Sequence, residues 1–376
     1  MNRNEPVAVA RCAAYDPGKI YGELARLAPA IGLTREAIAG KRVVVKPNLL
    51  LAFPPERAAT THPAVTEAVL RLLLSFEPAS LLIAESPGGI YNERSLAHVY
   101  SVTGMKAVSE ATGVPLNTDV SYGRFSLTDG VTAKNIDVIT PVAEAEVLVN
   151  VCKMKTHALA VMTGASKNLF GVVPGINKFE MHARFTKPAD FFSMVADLDE
   201  ALDRKLTLFH ISDGIVGMEG DGPSGGTPKA AGVLLMSRNP FNLDLVAAEI
   251  MGLSGRVRLL QIAADRGDCP ASVSEVPLIG PTPAELGVTP FTLPDAAKGR
   301  KFDRIPPFLQ PHPVVDRKIC RGCGRCAESC PQKTIAMKGK FARIDPSRCI
   351  RCYCCQELCP FQAIRIRKNL IYKLVE

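Results

Sequence analysis

The sequence predicts an α/β fold with a mostly parallel sheet over residues 1–276. A Pro-rich connector over 277–314 and a small α+β unit over 315–376 follow it. Three observations lead to this division. Short β-rich runs alternate with longer helical patterns, as in strands joined by crossover helices. Polar residues gather directly after several of those runs. Eight cysteines fall in two identical runs near the end of the chain.

The candidate strands are 7–10, 42–46, 81–85, 147–152, 206–212 and 232–236. The candidate helices are 20–27, 63–76, 95–111, 188–202, 242–251 and 257–264. The second helix opens on Thr60-Thr61-His62-Pro63, an N-cap followed by a proline whose missing N–H costs nothing there. The exposed amides at such a start also suit a phosphate or carboxylate. Residues 125–137 read as a hairpin around Thr128-Asp129-Gly130. Beyond residue 276 prolines recur without period, which fits an extended connector.

The final unit is defined by its cysteines. Cys320, Cys323, Cys326 and Cys330 precede Pro331, and Cys349, Cys352, Cys355 and Cys359 precede Pro360. This is the ligand spacing of a bacterial-type ferredoxin with two [4Fe–4S] clusters, in which the fourth cysteine of each run serves the other cluster. One cluster therefore takes Cys320, Cys323, Cys326 and Cys359, and the other takes Cys349, Cys352, Cys355 and Cys330. Zinc sites pair two CxxC knuckles instead. Cys354 is out of register and reads as a bystander thiol. Cys12, Cys152 and Cys269 are isolated and read as core residues.

Charge is uneven. Residues 315–376 hold fourteen Lys and Arg against five Asp and Glu, in a chain whose total is +8, so the remainder is near neutral. A positive face around the clusters would attract an acidic redox partner such as a ferredoxin or flavodoxin. The same excess could simply offset cluster charge. No nucleic-acid reading motif accompanies it. No apolar run reaches the ~18 residues of a membrane span, and no apolar signal segment follows the first residues. Thiolate clusters need reduced cysteines, so a cytoplasmic, anaerobic setting is expected.

Ligands of open α/β sheets bind beyond the carboxyl ends of the strands. Lys46 and Asn48 follow one candidate strand, and Glu85 ends another. Lys155 and His157 follow a third, and Asp213 and Glu219 a fourth. If the strands are parallel, these residues and Thr61 line one crevice for a small anionic ligand. Any single such residue is more often part of a turn. Lys167 sits after a Gly-Ala-Ser stretch that allows close backbone approach. The loop 220–226 is Gly-rich and could cover the crevice, but it lacks a P-loop Lys-Ser/Thr. No strand–GxGxxG–helix unit is present, which argues against a Rossmann dinucleotide site.

Lys46-Pro47-Asn48, Thr60-Thr61-His62-Pro63, Lys155-Thr156-His157, Ser166-Lys167-Asn168-Leu169-Phe170-Gly171 and Asp213-Gly214-Ile215 resemble domain-of-unknown-function family 362. That resemblance covers the whole chain and implies cluster binding in an anaerobic redox setting, but no reaction. His157, Lys167 and His182 also resemble, in spacing, the His, Lys and His of lactate racemases. That likeness implies a cofactor tether at Lys167, a nickel ligand at His182 and proton transfer at His157. Racemisation needs no ferredoxin, so the fused clusters speak against copying the activity.

Three functions compete on this reading. The first is an oxidoreductase whose clusters exchange electrons with an unidentified second ligand in the α/β domain. There Lys46, Lys155 and Lys167 hold the anion, and His157 or Glu219 moves protons. The second is an electron carrier without its own catalysis. The third is acid/base or metal-cofactor chemistry similar to lactate racemase.

Overall fold

The computed structural model of the chain describes residues 1–297 and 310–368. The strands are β1 (Val7–Arg11), β2 (Arg42–Pro47), β3 (Ser80–Ile83), β4 (Tyr122–Ser126), β5 (Asn135–Ile139), β6 (Val147–His157) and β7 (Val161–Thr163). They continue as β8 (Thr207–Glu219), β9 (Thr227–Ser237), β10 (Leu278–Ile279), β11 (His312–Val315), β12 (Ile335–Lys338), β13 (Phe341–Ile344) and β14 (Ile364–Arg367). The large sheet runs β10-β1-β9-β8-β6-β2-β3, with β7 paired to β6. Its functional half, β8-β6-β2-β3, is parallel throughout. β9 lies antiparallel between β8 and β1, so the sheet as a whole is mixed.

Every residue of β6 is buried, as befits a central strand covered on both faces. One face packs on the Pro188–Lys205 and Pro240–Ile250 helices through Phe191, Val195, Leu198, Leu243 and Val246. The other packs on the Pro17–Leu27 and Pro63–Leu74 helices through Ile20, Leu24, Val65 and Val69. Pairing β2, β6 and β8 in parallel brings their carboxyl ends to one edge.

Four elements differ from the sequence reading. β6 and β8 run well past their expected ends, because β7 and β9 keep pairing with them. Lys153, Lys155, His157 and Asp213 therefore stand on strands, not in loops. The helix expected over 95–111 breaks into Glu93–Val102 and Met105–Thr112, because Gly104 takes a left-handed φ of 80°. The start of the Pro-rich segment is more than a spacer, since β10 pairs with β1 and the Pro283–Leu286 helix caps itself. Residues 298–309 of that segment, and 369–376 of the final unit, lie outside the described residues.

The final unit is pseudo-twofold. β11 pairs with β14 and β12 with β13, both antiparallel. The two cysteine loops repeat their backbone as well as their sequence. Gly322 and Gly324 have φ of 70° and 78°, and their counterparts Arg351 and Tyr353 have 57° and 61°. The left-handed turns that wrap each loop are thus kept even where glycine is not used.

Candidate functional site: a crevice roofed by the cysteine domain

Within the final unit the folded chain sorts the thiols into two cavities. Cys320, Cys323, Cys326 and Cys359 line the outer one, with Met337 and Phe361 at its mouth. Cys330, Cys349, Cys352 and Cys355 line the inner one. Each run's fourth cysteine crosses to the other cavity. Thr334 N–H donates to Cys330 Sγ at 3.3 Å, and Ala363 N–H donates to Cys359 Sγ at 3.2 Å. Amide donors at equivalent places suit negatively charged cluster thiolates. The residues present therefore fit four-thiolate clusters. Cys354 lines neither cavity. It is buried between the two units against Phe179 and Leu358.

The α/β unit contributes a connected polar network. Lys46 Nζ donates to Glu85 Oε2 at 2.7 Å, and both residues are buried. Glu85 also accepts from Ser86 N–H at 2.8 Å and, more loosely, from Leu49 N–H at 3.4 Å. Asn48 Nδ2 donates to Asn168 Oδ1 at 2.7 Å, while Asn48 Oδ1 accepts from Lys155 Nζ at 2.8 Å. Asn168 in turn donates to Asn150 at 2.7 Å. Thr61 Oγ1 accepts from Asn48 N–H at 2.9 Å and donates to Val151 C=O at 2.8 Å, tying the end of β2 to β6. Gly171 is required here, because a Cβ would stand 2.4 Å from Lys46 Nζ. Burial, and then the charge of Lys153, push the Lys155 ammonium down to about 7.

Lys167 is carried on the short Ala165–Leu169 helix. Its start is held by Asp244, which accepts from Ala165 N–H at 2.6 Å and Ser166 N–H at 3.1 Å. A Cβ at Gly164 would meet Asp244 Oδ1 at 2.0 Å. Lys167 Nζ lies 4.8 Å from the Phe170 ring centre and 5.9 Å from that of Phe191. It makes no hydrogen bond or ion pair among the described residues. His182 stacks on Phe191 at 4.0 Å, is buried, and has no hydrogen-bond partner among the described residues. Burial pushes its imidazole down to about 3.

The roof comes from the cysteine domain. Its Cys354–Glu357 helix seats Glu357 Oε1 3.1 Å from His157 Nε2. His157 Nδ1 accepts from Leu159 N–H at 3.0 Å and Ala160 N–H at 3.2 Å, so the ring proton sits on Nε2 and points at Glu357. Burial alone would raise the Glu357 carboxyl, but His157, Lys167 and His182 together hold it down at about 2. Around this contact Gln356 Nε2 donates to Asp221 C=O at 3.0 Å and Gln362 Nε2 to Ser224 C=O at 2.9 Å. Leu358 packs so close to Gly88 that a Cβ there would lie 2.7 Å from it. The Gly-rich loop 220–226 is thus a seat for the cysteine domain.

Measured against the sequence reading, the structure gathers Lys46, Asn48, Thr61, Glu85 and Lys155 into one network. His157, Lys167 and His182 stand around Glu357. Two residues fall elsewhere. Asp213 sits beside the Pro63–Leu74 helix, where it accepts from Lys153 Nζ at 2.8 Å, Tyr15 OH at 3.0 Å and His62 N–H at 2.9 Å. The reason is its place inside β8, facing Lys153 across the strand pair. Glu219 pairs with Lys229 at 3.1 Å and accepts from Thr292 N–H at 2.8 Å at the far end of the β8–β9 ribbon. Sequence reasoning assigned no role to Glu357, Asn150 or Asp244, and named Asn168 only within the 166–171 motif.

The description "Domain of unknown function (DUF362)" matches residues 43–249, more than half the chain. A thylakoid-associated protein of Synechocystis sp. is 30% identical over 77% of this chain and 88% of its own length. The chain belongs to this family. A "4Fe-4S dicluster domain" matches residues 312–360, so this DUF362 protein carries a ferredoxin-type iron–sulfur domain. Dihydromethanopterin reductase (acceptor) of Methanosarcina mazei is 33% identical over 28% of this chain and about half (49%) of its own length. The lactate racemase apoprotein of Thermoanaerobacterium thermosaccharolyticum aligns over 66% of this chain and 57% of its own, with a TM-score of 0.42 and 14% identity. No described helix is long and apolar enough to cross a membrane.

Proposed function

We propose that this DUF362 protein is an iron–sulfur oxidoreductase. Two [4Fe–4S] clusters pass single electrons between an acidic carrier protein and a small anion in the α/β crevice. When bound, the clusters supply the one-electron chemistry. Cys320, Cys323, Cys326 and Cys359 would hold the outer one, and Cys330, Cys349, Cys352 and Cys355 the inner one. The observation that carries the reading is the placement of the Cys354–Glu357 helix. It contributes an inner-cavity thiol and also covers the buried side chains of Lys155, His157 and His182, with Lys167 beside them. Lys167 and His157 Nε2–H bind and orient the anion, and Lys155 adds charge. Lys46 and Asp213, closed into their own ion pairs, support the strands instead of touching ligand.

The outer cavity is the port for the carrier. Cys323, Met337 and Phe361 are exposed there, flanked by exposed Arg321 and Arg325. A ferredoxin or flavodoxin of opposite charge fits that face.

Anaerobic purification with mass spectrometry of released small molecules tests the proposal. About eight Fe and eight sulfides per chain are expected for two such clusters, together with a bound small anion. Lys167→Ala should lose the anion and keep the iron. Wild-type protein that holds its iron, binds no small anion, and gives an EPR signal indifferent to added carboxylates would support the carrier reading instead. The closed Lys46–Glu85 and Asn48–Asn168–Lys155 contacts are the observation in that reading's favour.

A further inference from the structure

The crevice contains a carboxylate that belongs to the protein itself. Glu357 is the residue through which the cysteine domain enters the α/β unit, and its side chain is only 16% exposed. What it meets is an imidazole N–H held toward one negative charge. His157 Nε2–H is fixed toward it, because the other ring nitrogen is committed to two backbone amides. Lys167 and His182 also act on its charge, yet neither forms a hydrogen bond with it. Lys167, whose ammonium lies over the Phe170 and Phe191 rings and makes no hydrogen bond or ion pair among the described residues, thus remains unpartnered beside a donor that is filled. A group larger than the Glu357 carboxylate, or seated slightly deeper, would engage both.

The contacts that hold Glu357 in place are mixed. Gln356 and Gln362 each give one hydrogen bond to a carbonyl of the 220–226 loop, Tyr353 packs with Ala158 and Ala296, and Cys354 and Leu358 pack with Phe179. Relative movement is the ordinary expectation for two units of one chain unless their interface is large and wholly apolar. The helix that would move also carries Cys355 of the inner cavity.

Resting on the crevice as the ligand site, we infer that Glu357 is a built-in carboxylate occupying the anion position. A small organic carboxylate binds there by displacing it and loosening the Cys354–Glu357 helix. Ligand and Glu357 are mutually exclusive. Arrival of the ligand is thereby felt at the inner cluster without any direct contact between them. The wild-type crevice binds its anion more weakly than the donors alone would allow, because the internal competitor must first leave.

Propionate is the matching probe, since it reproduces the end of a glutamate side chain, and propionamide is its neutral control. Binding is measured by calorimetry on the anaerobically reconstituted protein, wild type against Glu357→Gln. The substitution keeps the volume, opens no cavity and touches no cluster ligand, so iron content should be unchanged. Propionate is expected to bind Glu357→Gln at least tenfold more tightly, and propionamide to bind neither. In wild type, saturating propionate should speed hydrogen exchange at residues 354–362. An unchanged or weaker affinity in Glu357→Gln overturns the inference, as does propionate binding that leaves exchange at 354–362 untouched. Electron paramagnetic resonance of the reduced protein separates this from the redox proposal. Displacement of Glu357 with no change in spectrum or electron-transfer rate sustains the competitor, overturns its coupling to the inner cluster and removes the oxidoreductase reading. A spectral response with equal affinities does the reverse.

Discussion

Lys46 and Glu85 offer the clearest division between supporting and ligand-binding roles. The sequence reading placed both in contact with ligand, whereas the structure pairs them at 2.7 Å with both side chains buried. At that distance and an effective dielectric constant near 20, the gross attraction is about 6 kcal/mol. Desolvation cancels much of it, and removing one partner of a buried pair costs about 3–5 kcal/mol because the other charge is stranded. The two single substitutions should not cost the same. Lys46→Met leaves Glu85 with two backbone amide donors, at 2.8 and 3.4 Å. Glu85→Met leaves the Lys46 ammonium with only weak contacts to Pro47 C=O at 3.4 Å and Asn168 at 3.5 Å. Glu85→Met should therefore sit at the upper end of that range. The double variant should lose less than the sum, because neither charge is then stranded. At roughly 2–4 °C per kcal/mol for a domain of this size, the single losses correspond to about 6–20 °C in Tm. Circular dichroism melts of equally iron-loaded proteins measure this, with propionate affinity measured alongside. Lys46→Met is expected to lower Tm while leaving propionate affinity within about threefold. A Tm within about 2 °C of wild type, together with lost propionate binding, would refute the reasoning and return Lys46 to the ligand.

Three further outcomes follow from the same geometry. Cys330→Ala should remove about half of the iron, because Cys330 shares the inner cavity with Cys349, Cys352 and Cys355. Cys354→Ala should remove none, and the opposite pattern in iron and sulfide analysis would sink the crossed wiring. Arg321→Glu with Arg325→Glu should slow electron exchange with an acidic ferredoxin and flatten its steep salt dependence in stopped-flow, since exposed charges are screened over ~10 Å at 0.1 M salt. Rates indifferent to both changes mean that the charge only offsets the clusters. Arg365 and Lys368 are poorer choices, being paired with Asp316 at 3.3 Å and Asp295 at 3.9 Å. Lys155 is charged below about 7 and neutral above it, so propionate affinity should fall as pH rises through that value. Lys155→Met should flatten that profile, and an unaltered profile in the variant assigns the titration elsewhere.

Much of this molecule can be read from its residues because much of it is locally encoded. The cysteine spacing names the cluster type and pairs each fourth thiol with the opposite loop, since three thiols so spaced reach three corners of one cubane and the fourth reaches the other. The β-rich runs with intervening helical patterns specify an α/β sheet whose strand ends gather polar groups. Lys46, Asn48, Glu85 and Lys155 do come together on that basis. What sequence order does not carry is which way a side chain turns once a strand runs on. Asp213 and Glu219 were assigned by following β8, but its continued pairing with β9 sends one to Lys153 and the other to Lys229. Glu357 shows the same limit most sharply. Its counterpart in the first cysteine run is Glu328, the same residue at the same place, and that one is exposed. Part of the distinction was written in the flanks. Tyr353, Cys354 and Leu358 stand where the first run has Gly324, Arg325 and Ser329, which marks the second run as the buried half. Nothing local says what that half is buried against. The docking of one unit on the other turns an ordinary surface glutamate into the only carboxylate placed 3.1 Å from His157 among the described residues, and that is a property of tertiary structure alone.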